Sequence, residues 1–67
     1  LPPLLYAVKK GLADDVEVLL NTPNIDFTAK DESDNTAMQL AKMLPEYAYF
    51  KNKKTKIIEL LEQLGAK

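Results

Sequence analysis

The chain of 67 residues contains no cysteine, no histidine and no arginine. Without cysteine there is no disulfide and no thiolate metal site. Without histidine, zinc, iron and copper are left with carboxylates, poor ligands for them. Catalytic triads and acid–base chemistry built on imidazole are excluded as well. The nine basic residues are all lysine, a point charge without the bidentate fork of arginine, which counts against phospho-motif and base-specific nucleic-acid recognition. Glycine occurs only at Gly11 and Gly65, so there is no phosphate-cradling loop. No apolar run approaches the roughly 18 residues of a membrane span, and the first residues lack a signal peptide's pattern of charge followed by apolar residues. No cofactor, metal or small-molecule substrate is expected.

What is present is ordinary globular composition, 46% apolar and 28% charged with a net charge of −1. The size is that of one small domain, which buries only about 60% of its unfolded surface and is marginal on its own. The charge is uneven. Residues 1–50 hold four lysines and eight acids, whereas residues 51–67 hold five lysines and two acids. The paired acids Asp14-Asp15 and Asp31-Glu32 are adjacent in sequence and do not converge on one substrate. Ser33 has no candidate base, so no enzyme is expected.

Proline and apolar spacing mark four helices. Pro2 and Pro3 open the first, which spans Leu4 to Lys10 and stops at Gly11. The second runs from Ala13 to Asn21, with Asp14 and Asp15 in its first turn, where the helix dipole favours acids. A polar stretch over 24–35 is rich in turn formers. The third helix runs from Thr36 to Met43, ahead of the Leu44-Pro45 step that disfavours helix. Residues 45–52 are a helical turn or an ordered loop. The fourth helix is expected over Thr55 to Leu64, capped by Thr55 and stopped by Gly65. Leu19, Leu20, Ile58 and Leu61 are expected to be almost fully buried.

The chain repeats itself. Pro2-Pro3-Leu4-Leu5-Tyr6-Ala7 lies over Thr36-Ala37-Met38-Gln39-Leu40-Ala41 at an offset of 34 residues, and Leu19-Leu20 corresponds to Leu60-Leu61. Two helices and a polar turn at a period near 33 are the pattern of the ankyrin repeat, and the residues resemble that family. Its opening motif Thr-Pro-Leu-His-x-Ala appears here as Pro-Pro-Leu-Leu-Tyr-Ala and Thr-Ala-Met-Gln-Leu-Ala. Gly11 falls on the glycine between its helices. Asp31-Glu32-Ser33-Asp34-Asn35-Thr36 resembles its Asp-x-x-Gly-x-Thr finger with Asp34 in place of glycine, so that Asp34 must take a left-handed backbone. Gly65-Ala66 resembles its closing Gly-Ala.

Three features depart from the pattern. Neither unit has the family histidine, and the first unit carries one extra residue near Thr22-Pro23. Ala7 to Val16 is nine residues, whereas Ala41 to the matching Ile58 is seventeen, an insertion of eight over about Leu44 to Lys53. The resemblance therefore implies an all-α stack of two helix–turn–helix units, residues 1–35 and 36–67, with a polar β-turn finger between them. No finger precedes the first unit, so the chain is expected to be the C-terminal end of a longer array, with the face of Leu4, Ala7 and Val16 partly uncovered. A freestanding four-helix domain that mimics the pattern is the other reading.

The resemblance implies a protein-binding surface at the finger tip and inner helix ends: Lys30, Glu32, Ser33 and Asn35, with Lys9, Lys10, Met43 and Leu44. The insertion carries Tyr47, Tyr49 and Phe50. They either anchor a partner or cover the end of the stack, and in the second case at least one lies against the last helix near Ile57 or Leu61. Lys51, Lys53, Lys54 and Lys56 form a basic cluster that tracks a nucleic-acid backbone or an acidic membrane, or is a solvated rim. A cytoplasmic or other intracellular setting is expected.

Overall fold

In the computed structural model, which describes residues 2–65, the chain is all-helical: α1 (Pro3–Lys9), α2 (Ala13–Leu20), α3 (Ala37–Lys42) and α4 (Ala48–Gln63). Helix α1 packs on α2 and α3, and α4 packs on the same two. Each sequence unit is thus a helical pair, α1 with α2 and α3 with α4; α1 and α3, the inner helices, meet, as do α2 and α4, the outer ones.

Local chemistry accounts for most boundaries. Pro3 occupies the first turn of α1, where its missing N–H had no partner to lose. Gly11, at φ 71°, donates its N–H to the Val8 carbonyl and turns the chain into α2. Thr36 caps α3: its Oγ1 accepts from the Gln39 N–H, and the Gln39 side chain accepts from the Thr36 N–H. Gly65, at φ 76°, ends α4; Ala66, the other half of the closing Gly-Ala, lies outside the described residues.

The start of α4 corrects the sequence reading. The helix begins at Ala48, not Thr55. Thr55 sits in mid-helix, its hydroxyl donating back to the Lys51 carbonyl at 3.2 Å, the usual resort of an interior threonine. Nothing between Ala48 and Lys54 breaks a helix, so most of the insertion is extra turns of α4 and not a loop. Its length is also seven residues, not eight. Val16 and Ile57 are both fully buried, which matches Ala7–Val16 to Ala41–Ile57 and keeps Leu19-Leu20 in register with Leu60-Leu61.

The core of the described residues is wholly apolar: Leu4, Leu5, Ala7, Val8, Val16, Ala37, Ala41, Ile57 and Leu61 lead it, and no polar or charged residue is buried. Leu61 is buried as expected, but Leu19, Leu20 and Ile58 are only half-buried. They flank the central positions of the outer helices instead of occupying them. Leu4, Ala7 and Val16 are not partly uncovered, since α2, α3 and α4 already enclose them. In the first unit the large apolar residues left open are Tyr6, Leu12 and Val18 instead. In the link between the units, Ile25, Phe27 and Ala29 alternate with exposed residues and pack on the core.

Candidate functional site

The finger is built by short polar side chains around one carboxylate. Lys30 pairs with Thr36 in an isolated antiparallel bridge. Inside that bridge the Asp31 N–H donates to the Asn35 carbonyl, and the Asp34 N–H to the Asp31 carbonyl. Asp31 Oδ1 accepts from the N–H groups of both Ser33 and Asn35, at 2.9 and 2.8 Å. Asp34 takes the left-handed conformation at φ 66°, and its carboxylate lies 3.5 Å from Lys30 Nζ. The Asn35 N–H, then the Ser33 N–H, and the nearby Lys9 ammonium hold the Asp31 carboxyl below its ordinary 3.8. Asp26 is lowered in the same way by the Thr28 hydroxyl and N–H, in the turn that leads into the finger.

The predicted surface residues divide. Lys9, Lys10, Lys30, Glu32, Ser33 and Met43 are exposed, and Asn35 is half-buried. Lys9 makes the smallest of the contributions that lower Asp31. Leu44 is a correction: it is 6% exposed and belongs to the core. The helix-ending turn at Met43 leaves Met43 outside and carries Leu44 inward, where Pro45 redirects the chain.

The aromatic cluster divides as well. Phe50 packs on the core at the turn between α1 and α2. A Cβ at Gly11 would lie 2.7 Å from the edge of the Phe50 ring and 3.9 Å from Leu44. Phe50 thus closes the end of the first unit as well as its own, a contact that the sequence reading had sought only along the last helix. Tyr47 and Tyr49 remain exposed, each meeting Phe50 edge-on with ring centroids 5.3 and 4.9 Å away.

Three of the four clustered lysines are engaged within the chain. Lys53 lies over the Tyr49 ring at 4.4 Å, Lys54 is 3.7 Å from Glu46, and Lys56 reaches Asp14 at 3.3 Å and Glu17 at 3.6 Å on α2. The hydrogen bond to Asp14 and the charge of Glu17 hold the Lys56 ammonium above its ordinary 10.5. Lys56 ties the outer helices together, a role the sequence reading missed. Its signal was the pair of acids one turn apart on α2, facing a lysine of the opposite unit.

Among the described residues, no group of three acids could hold a metal ion, and no helix is long and apolar enough to cross a membrane. Comparison with family models, with characterised proteins and with solved structures finds no match to this chain.

Proposed function

We propose that the chain is a non-catalytic protein–protein interaction module, the C-terminal part of an ankyrin-like array working inside the cell, with its partner held at the finger and the neighbouring end of α1. The observation that carries this reading is the finger itself. Asp31 gathers two backbone donors, the Lys30–Thr36 bridge closes the base, and Thr36 with Gln39 fixes the following helix. Glu32 and Ser33 are therefore presented on a loop that is ordered before any partner arrives, which lowers the entropic cost of binding. Lys9, Lys10, Lys30 and Met43 are the other exposed positions of the proposed surface. Shape and charge complementarity supply specificity, with no turnover.

Phe50 on Gly11 favours a second, structural role for the insertion, that of closing one end of the stack. A nucleic-acid or membrane role for Lys51–Lys56 is disfavoured because Lys53, Lys54 and Lys56 already have partners.

A capture experiment tests the reading. Proteins retained by the unaltered chain should persist with Tyr47→Ser/Tyr49→Ser and disappear with Lys9→Glu/Glu32→Lys, with all three chains equally helical by circular dichroism. Loss with the tyrosine variant alone would move the binding surface to the insertion. Retention that collapses between low and physiological salt, and only with nucleic acid present, would support the basic cluster.

A further inference from the structure

The hydroxyl side chains of the molecule differ in how free they are to react. Every threonine is in use. Thr22 donates to the Val18 carbonyl, Thr28 to the Asp26 carboxylate and Thr55 to the Lys51 carbonyl, while Thr36 caps α3. Ser33 sits between Glu32 and Asp34 on a loop whose turn is held by Asp31. Tyr6 lies within α1, and Tyr49 in the first turn of α4. Tyr47 is different. Its backbone is extended, at φ −73° and ψ 165°, and its side chain is 62% exposed.

The stretch that carries Tyr47 is displayed between two anchors. Leu44 is buried ahead of it, Phe50 packs on the core after it, and residues 45–49 between them are all exposed. Among the described residues, no backbone hydrogen bond uses the N–H of Glu46 or Tyr47. A transferase has to enclose the side chain that it modifies, and an extended segment with open backbone groups can lie along an enzyme cleft. A helix keeps those groups for itself. The surrounding charge also suits an added anion. Lys51 stands one turn on from Tyr47, exposed and in none of the ion pairs among the described residues. No acid lies in the first turn of α4, and Glu46, the one acid within residues 43–56, pairs with Lys54 at 3.7 Å. At Ser33 the same anion would stand between Glu32 and Asp34.

We infer that Tyr47 is a phosphorylation site, the substrate of a tyrosine kinase that uses a nucleoside triphosphate. The phenolic oxygen of Tyr47 attacks the γ-phosphorus, and the bond from that phosphorus to the β–γ bridging oxygen breaks. The nucleoside diphosphate leaves, and the phenolic proton passes to the base of the kinase. The new group carries about −1.5 to −2 charges at neutral pH. Lys51, four residues on, is placed to meet it. The charge arrives at the start of α4, ahead of a run of lysines, where an anion stabilises the helix. Phosphorylation therefore reinforces the turn of α4 that holds Phe50 on Gly11.

The test uses a tyrosine kinase chosen because it modifies Tyr47 and Tyr49 equally in an unfolded peptide of residues 43–51. The whole 67-residue chain is given to it with ATP and Mg²⁺, and mass spectrometry locates the phosphate. In the folded chain Tyr47 should be modified at least about tenfold faster than Tyr49 or Tyr6, because those two require a helix to open first. Tyr47→Phe should abolish the main product with no loss of helicity. The phosphorylated chain should melt higher by roughly 4 °C at low salt, and the rise should shrink with Lys51→Gln. Phosphate entering Tyr49 or Tyr6 as fast as Tyr47 would overturn the site, as would a folded chain refused by the kinase that takes the peptide. A midpoint unchanged or lowered by phosphate on Tyr47 would overturn the reinforcement of α4.

Discussion

The finger and the insertion both occupy stretches where helical pattern fails in the sequence, and they are held in opposite ways. The finger is largely self-contained: the hydrogen bonds from Asp31, Thr36 and Gln39 that shape it join residues within 30–39. The insertion has ring contacts and the Lys54–Glu46 pair of its own, and it reaches the other unit through Phe50 lying on Gly11. A loop closed by its own short side chains can present a fixed surface regardless of what happens elsewhere. A segment whose reach to the other unit depends on a ring against a glycine transmits its failure to both units.

The largest effect that separates the two regions is expected from Phe50→Ala. Removing a packed aromatic costs about 3–5 kcal/mol when fully buried, and the half-buried Phe50 should cost about 2–3 kcal/mol, read as a lower urea midpoint. A loss under about 0.5 kcal/mol, the range of an ordinary surface substitution, would mean that the insertion is ornamental.

Gly11→Ala comes next. It places a Cβ at a positive φ and against the ring, with an expected loss of about 2 kcal/mol from backbone strain and overpacking together. In a Phe50→Leu background the overpacking share should fall and the two losses should be less than additive. Strict additivity would show that Gly11 is required for its backbone alone.

At the finger, Asp34→Gly should be stabilising by about 1 kcal/mol. It relieves the left-handed aspartate at φ 66°, less the small worth of the exposed Lys30 pair. No comparable gain is expected from a substitution in the insertion, where among the described residues no non-glycine residue has positive φ.

The smallest effect is on pH dependence. Asp31 is held below its ordinary 3.8 by donors inside the finger. The folded chain therefore releases this proton more readily than the unfolded one, and stability rises with pH across that window. The contribution is fully present above the unfolded value and is lost as pH falls through the lowered folded one. Between about pH 5 and pH 3, the stability of Asp31→Asn should decline less than that of the unaltered chain. Parallel curves would remove Asp31 from the account of the finger.

This contrast also explains what could be read in advance. The helix start at Thr36, the turn at Gly11 and the left-handed Asp34 were legible because each acts on neighbours in sequence. The helical pairing followed from the internal repeat. Phe50, Leu44 and Lys56 were not legible. The partner of Lys56 lies 42 residues away, the position of Phe50 depends on a turn in the other unit, and the inward step of Leu44 follows from how one short turn exits α3. The false cap at Thr55 has a similar origin: local chemistry allowed a helix start there, but the preceding residues were equally able to be helical. At the proposed binding surface, the exposed finger residues could be named from the resemblance, whereas the pairing of Lys56 with Asp14 and Glu17 became visible only in space.

Native-state amide exchange of the unaltered chain and of Phe50→Ala tests the independence of the two regions most directly. The account predicts that Phe50→Ala accelerates exchange at Gly11, Leu12 and the first turns of α4 by at least tenfold, while the Asp31, Asp34 and Asn35 amides keep their protection under conditions where the variant remains folded. Equal acceleration of those finger amides would contradict it, and would mean that the finger is held by the stack and not by itself.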